Sequence, residues 1–296
     1  MSRIGLFLLT NIAILGVASI TLQLLGAEHY LQGSELNLTN LLIFCAVFGF
    51  TGAFISLFIS KWMAKRSTGT QIIEQPRTPE ERWLVETTRE LAEKAGIGMP
   101  EVGIFPAQES NAFATGWNRN KALVAVSQGL LQRFNRDEAR AVIAHEIGHV
   151  ANGDMITLTL LQGVINTFVM FFARIIGHIV DKVILKNERG HGIGFYITTF
   201  IAEMILAVLA SIIVMKFSRY REYRADVAGA KLADRDAMIG ALNRLLTEQK
   251  AQVPSTMPDT MHAFGISSGF KQNFAKLFAS HPPLEDRIRA LQQNMS

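Results

Sequence analysis

The chain has 296 residues, 49% of them hydrophobic and only 18% charged, with a mean hydropathy of +0.22. That composition excludes a disordered chain and an ordinary wholly water-soluble one, in which about a quarter of residues are charged. The net charge of +4 looks basic, but no basic patch with interleaved aromatics is present, so nucleic acid is not an expected partner; the single cysteine, Cys45, excludes an intramolecular disulfide.

The apolar excess falls in four blocks. Ile4–Leu25 and Leu36–Ser60 carry no charge, Met155–Ala173 is uncharged up to Arg174, and Gly192–Met215 carries only Glu203. Each approaches the roughly 20 residues that cross a bilayer as a helix. The first is longer than a signal-peptide core and lacks a clear cleavage site, so it reads as a retained anchor. The last two hold Arg174, His178 and Glu203, and a buried hairpin is the alternative to two further spans. Lys61, Lys65 and Arg66 follow the second block, and Lys216, Arg219, Arg221 and Arg224 follow the fourth. The positive-inside rule therefore predicts residues 61–154 and 216–296 on the cytoplasmic side. The expected organisation is an anchor over 1–60, a first part of a catalytic domain over 61–154, two spans over 155–215 and the domain's remainder over 216–296.

Between the second and third blocks, Thr78-Pro79-Glu80-Glu81 predicts a capped helix start, with the helix running to about Ala95 before Gly96. Residues 101–105, 111–116 and 122–127 predict a small sheet of three strands, the last two joined by the polar turn 118–121. Asn135 and Glu138 cap the next helix, which should end near Asn152-Gly153. That helix holds His145-Glu146-Ile147-Gly148-His149. Histidines four apart share a helix face and can bind one zinc ion, with Glu146 beside them as general base. Two structural histidines on an amphipathic helix are the alternative.

Zinc hydrolases of this kind need a third ligand. In the metzincin pattern a glycine and a histidine would stand where this chain has Asn152 and Met155, so that class is excluded. Glu222 is the best candidate, on a helix continuing the fourth block, with Asp226 one turn on as a hydrogen-bond partner for a ligating histidine. Pairing of both acids with neighbouring arginines on a solvated face is the alternative. A further helix is expected over about Asp236–Gln249, a loop over 251–270, and a last helix after Pro283.

The segments Glu74–Arg77, Asn111–Gly116, Ala141–Asp154, Phe217–Asp226 and Ser280–Leu284 together resemble the HtpX-type heat-shock membrane proteases, a bacterial branch of the gluzincins related to CAAX prenyl proteases. The resemblance covers essentially the whole chain. It implies an α+β, mainly α, zincin-like protease domain with a small sheet joined to four transmembrane helices. It implies one zinc ion per subunit and a place in the bacterial inner membrane with the active site facing the cytoplasm. The implied substrates are polypeptides, damaged membrane proteins above all, cleaved for quality control. It supports Glu222 as ligand and Asp226 as its companion, and suggests His281 as a donor to the oxyanion. A helix-start histidine held by two prolines is the other reading of His281. Asn111, Ala112, Phe113 and Ala114 form the expected substrate-binding edge, where an extended peptide can add through main-chain hydrogen bonds; sheet interior is the alternative. Rival functions are a scaffold with structural zinc, a metal transporter lined by Arg174, His178 and Glu203, and a protease of lipidated C-termini.

Overall fold

The computed structural model describes residues 37–188, 190–251 and 280–293. The first apolar block and, after Ala251, the expected 251–270 loop lie outside them. Contacts divide the described chain into two compact units, one built from residues up to Ser56 and Leu158–Val214, the other from Leu57–Thr157 and from Met215 onward.

The first unit is helical. It contains most of α1 (Leu38–Thr68), most of α5 (Asp154–Ile179) and the apolar start of α6 (Ile193–Leu232). Among the described residues these are the three helices long and apolar enough to cross a membrane. Small residues let the backbones approach: a Cβ on Gly49 would lie 2.6 Å from Thr167 Oγ1, and one on Gly163 would lie 2.6 Å from the Phe50 ring. Arg174 Nη1 donates to Glu203 Oε1 at 2.9 Å and its guanidinium lies over the Phe44 ring. Large apolar side chains such as Phe168, Phe172 and Phe200 point outward, as lipid-facing positions do. α5 continues as a π turn over Val180–Ile184, which shortens the connection to α6.

The second unit carries a four-stranded sheet. Its strands are β1 (Gln71–Ile72), β2 (Glu101–Phe105), β3 (Ala112–Thr115) and β4 (Leu123–Ser127), in the order β1-β2-β4-β3. β4 is parallel to β2 and antiparallel to β3, which therefore forms one edge. The sequence predicted three strands; β1 is two residues long, too short to show a period of two. Val102, Ala112, Ala114, Val124 and Val126 face the larger core, whereas Phe105, Phe113, Leu123 and Ala125 pack with Ala64 on the other side.

The larger core is closed by α2 (Pro79–Lys94), α3 (Gln128–Arg133), α4 (Arg136–Asn152), α7 (Arg235–Lys250) and α8 (Leu284–Gln293). α2 and α4 each start with the expected capping box, Thr78 with Glu81 and Asn135 with Glu138. α4 stops at Gly153, whose φ of 68° is left-handed, and the chain turns at once into α5. No proline or glycine interrupts the 40 residues of α6 after Gly194 until Gly229, so one helix leads from the apolar stretch to Glu222 and Asp226.

Candidate metal centre

α4 crosses the C-terminal part of α6 with little between them. A Cβ on Gly148 would lie 2.8 Å from Ala228 Cβ, and one on Gly229 would lie 3.2 Å from the His145 backbone nitrogen. This close crossing sets two histidines of one helix against the carboxylate of the other. His145, His149 and Glu222 each present a ligand atom, all within 4.8 Å of one another. Glu222 Oε1 lies 3.2 Å from His149 Nε2, and its Oε2 lies 3.7 Å from His145 Nε2.

A carboxylate stands beside the outer nitrogen of each ring. His145 Nδ1 is 3.0 Å from Asp226 Oδ1, and His149 Nδ1 is 2.7 Å from Asp154 Oδ2. A carboxylate on Nδ1 fixes the tautomer so that Nε2 offers its lone pair inward. Asp226 is gripped in turn by Arg287, with Nε donating to Oδ2 at 2.8 Å and Nη2 to Oδ1 at 2.5 Å. Asp154 and Arg287 were not read from the sequence as site residues.

The residues fit a divalent cation. His145 Nε2 is fully buried and has no hydrogen-bond partner, an arrangement that costs energy unless something coordinates it. Among the described residues the buried acids Glu146, Asp154, Glu222 and Asp226 outnumber the guanidinium of Arg287, which pairs with Glu222 and Asp226. The electrostatics of these side chains express the same imbalance. Burial would push the His149 imidazole down, but Asp154 and Glu222 outweigh it and raise its pKa to about 10. Burial lowers that of His145, against the pull of Asp226. Burial works against the Asp226 carboxylate, yet Arg287 and His145 hold its pKa at about 2.

Glu146 stands between the metal ligands and the sheet. It is 3% exposed, and burial raises its pKa to about 7 while the Ala114 amide, hydrogen-bonded to its carboxylate, works the other way. The register explains that amide's direction. Ser127 N–H donates to the Asn111 carbonyl at 2.8 Å, which makes 111 and 127 a hydrogen-bonded pair. In the alternating antiparallel pattern, Ala112 and Ala114 then turn their N–H and C=O groups away from β4. The Ala112 amide is satisfied by Asn111 Oδ1 at 2.9 Å. Ser127 fixes this end of the strand, accepting from the Asn111 amide at 2.9 Å and donating to the Glu109 carbonyl at 2.6 Å. The expected edge therefore lies beside Glu146, buried along its whole length, with the main-chain groups of Ala112 and Ala114 turned away from β4.

His281 comes to the same centre. Its Nδ1 is 2.6 Å from Glu222 Oε2, and its Nε2 is buried without a partner. Burial would raise the Glu222 carboxyl's pKa, but His281 and His149 hold it well below the usual carboxylate range.

A family model described as peptidase family M48 matches residues 78–295. The chain is 70% identical to Protease HtpX of Hahella chejuensis, over 99% of this chain and all of that one. It is 68% identical to Protease HtpX of Cellvibrio japonicus, over 99% of each. The crystal structure of S. mikatae Ste24p is similar in fold, with a TM-score of 0.62 at 18% identity, covering 84% of this chain and 58% of that one.

Proposed function

From the premise that the chain belongs to peptidase family M48, and is thus a membrane metalloprotease, we propose that it is a zinc endopeptidase acting on membrane proteins. The observation that carries this is the convergence of His145, His149 and Glu222 beside Glu146 and an outward-turned edge strand. In this reading His145, His149 and Glu222 hold the ion, and Asp226 and Asp154 orient the rings. Two imidazoles and one carboxylate are the ligand set of catalytic zinc, and they leave a position open for substrate or water. When bound, zinc supplies Lewis acidity that polarises the scissile carbonyl and acidifies water.

The chain's own residues do the rest. The substrate lies extended along Ala112–Ala114, exchanging main-chain hydrogen bonds with the groups turned away from β4. The Ala114 amide must then pass from Glu146 to substrate, which frees the carboxylate. Glu146 accepts a proton from the attacking water and delivers it to the leaving amine. His281, anchored through Nδ1 on Glu222, donates from Nε2 to the developing oxyanion. Main-chain recognition asks little of side-chain sequence, which suits a quality-control enzyme that meets many damaged substrates. Residues 61–154 and 216–296 form the catalytic body in this reading, facing the cytoplasm of a bacterial inner membrane, and residues 1–60 and 155–215 supply the membrane segments.

The test is cleavage of casein and of a membrane substrate by purified protein with zinc quantified, wild type against Glu146→Gln. The variant should keep stoichiometric zinc and lose cleavage by at least a factor of 100. Cleavage at the wild-type rate would sink the assignment of Glu146.

A further inference from the structure

The β3–β4 turn carries features that peptide hydrolysis does not use. Trp117 is 42% exposed and packs edge-on against Phe58, with ring centroids 5.8 Å apart. Phe58 and Trp62 are themselves 57% and 50% exposed, and lie one turn apart on the same face of α1. Arg119 and Lys121 follow Trp117 in the turn, both exposed and with no carboxylate partner among the described residues. The turn is tied down rather than loose. Lys61 Nζ on α1 donates to the Lys121 carbonyl at 3.0 Å and pairs with Glu101 at 2.6 Å, and Asn120 Oδ1 accepts from the Gly98 amide at 2.9 Å.

Grouped exposed aromatics of this size need an occupant, because a water-facing surface rarely keeps them. α1 says which one. From Leu38 to Leu57 it is an uncharged, mainly apolar helix, about 30 Å long at 1.5 Å per residue, which is the thickness of a hydrocarbon core. Phe58 and Trp62 fall where that stretch ends, at the depth of the headgroups, where amphipathic aromatic rings concentrate. Trp117 joins them from the sheet, and its neighbours carry the charge that complements phospholipid phosphates.

We propose that the Gly116–Lys121 turn is a second membrane contact of the catalytic body, with Trp117 at headgroup level and Arg119 and Lys121 on the phosphates of anionic phospholipid. Ala114, whose amide meets Glu146, precedes Trp117 by three residues, roughly 10 Å of extended chain. The contact would hold the substrate strand that close to the bilayer surface, so that a segment leaving the membrane meets the strand at its Trp117 end. The inference rests on the membrane reading of α1 and adds to the proposed function, but its test does not read proteolysis.

The test uses the full chain reconstituted in vesicles, with Glu146→Gln as background so that cleavage plays no part. Trp62→Phe with Trp83→Phe leaves Trp117 as the lone tryptophan, and Trp62→Phe with Trp117→Phe leaves Trp83, which is covered by Arg136. Lipids brominated near the top of the acyl chains should quench Trp117 emission at least twofold, leave Trp83 nearly unchanged, and protect Trp117 from aqueous iodide relative to detergent micelles. Replacing a third of phosphatidylcholine by phosphatidylglycerol should deepen the Trp117 quenching, and Arg119→Gln with Lys121→Gln should abolish that increment. Trp117 quenched no more than Trp83, or as open to iodide in vesicles as in micelles, would overturn the membrane contact in favour of a protein occupant. An increment that survives the double substitution would overturn the headgroup assignment.

Discussion

Gly148→Ala tests whether the close crossing of α4 and α6 sets the metal site. The added Cβ would stand 2.8 Å from Ala228 Cβ, whereas carbon atoms in contact sit about 3.5–4.0 Å apart. The helices must therefore part by roughly 1 Å. Glu222 rides on one and the histidines on the other, and metal–ligand distances tolerate only about 0.2 Å. Metal affinity should fall on the order of 10–100-fold, as it does when ligand-orienting contacts are lost. Overpacking should also cost about 1–3 kcal/mol of stability. The structure supplies its own control. The remaining neighbours of the new methyl, Ala225 O at 3.4 Å and Ala225 Cα at 3.6 Å, are in ordinary contact range, so Ala228→Gly alone removes the clash. Gly148→Ala with Ala228→Gly exchanges an alanine and a glycine between two helices, so the roughly 1 kcal/mol helix-propensity terms cancel. Zinc affinity from chelator competition and thermal unfolding in detergent should both return most of the way to wild type in the double variant. A single variant that binds zinc like wild type, or a double variant as impaired as the single, would refute the crossing as the positioning device.

Other substitutions separate the remaining contributions. Arg287→Met leaves the buried Asp226 carboxylate without its guanidinium and should cost about 3–5 kcal/mol, part of which Asp226→Asn in the same background should restore; unfolding in detergent reads both. Asp154→Asn keeps the shape but loses the charge on His149 Nδ1, so zinc affinity, read by chelator competition, should drop on the order of 10-fold or more. Among the apolar helices, Arg174→Leu strands Glu203 and should destabilise by about 2.5–3.5 kcal/mol in a bilayer-like medium, whereas Arg174→Leu with Glu203→Leu should be the more stable variant. Equal stability of the single and double variants would show that the pair does not hold these helices together.

Beyond the three longer strands, what could be read of the site in the sequence was what one helix encodes alone. The caps of α2 and α4, the histidine pair and the Glu222–Asp226 pair are spacings of three or four residues, and a helix turns such spacings directly into neighbours. The missed residues depend on where helices end and on what crosses them. Asp154 reaches His149 across a spacing of five, because the left-handed Gly153 folds the chain back before α5 begins; in the sequence it looks only like an acid at the head of an apolar run. Arg287 is different, because its anomaly was visible. It occupies the apolar face of α8 with Leu284, Ile288 and Leu291, a place where a charge needs a buried partner. The spacing could show that a partner was required but not which, since Asp226 is 61 residues away. The two kinds of residue divide the work accordingly. Local spacing delivers the atoms that touch the ion, while the groups that fix their tautomer and charge come from the crossing of α4, α6 and α8, and a substitution at that crossing should disturb the metal without altering any ligand.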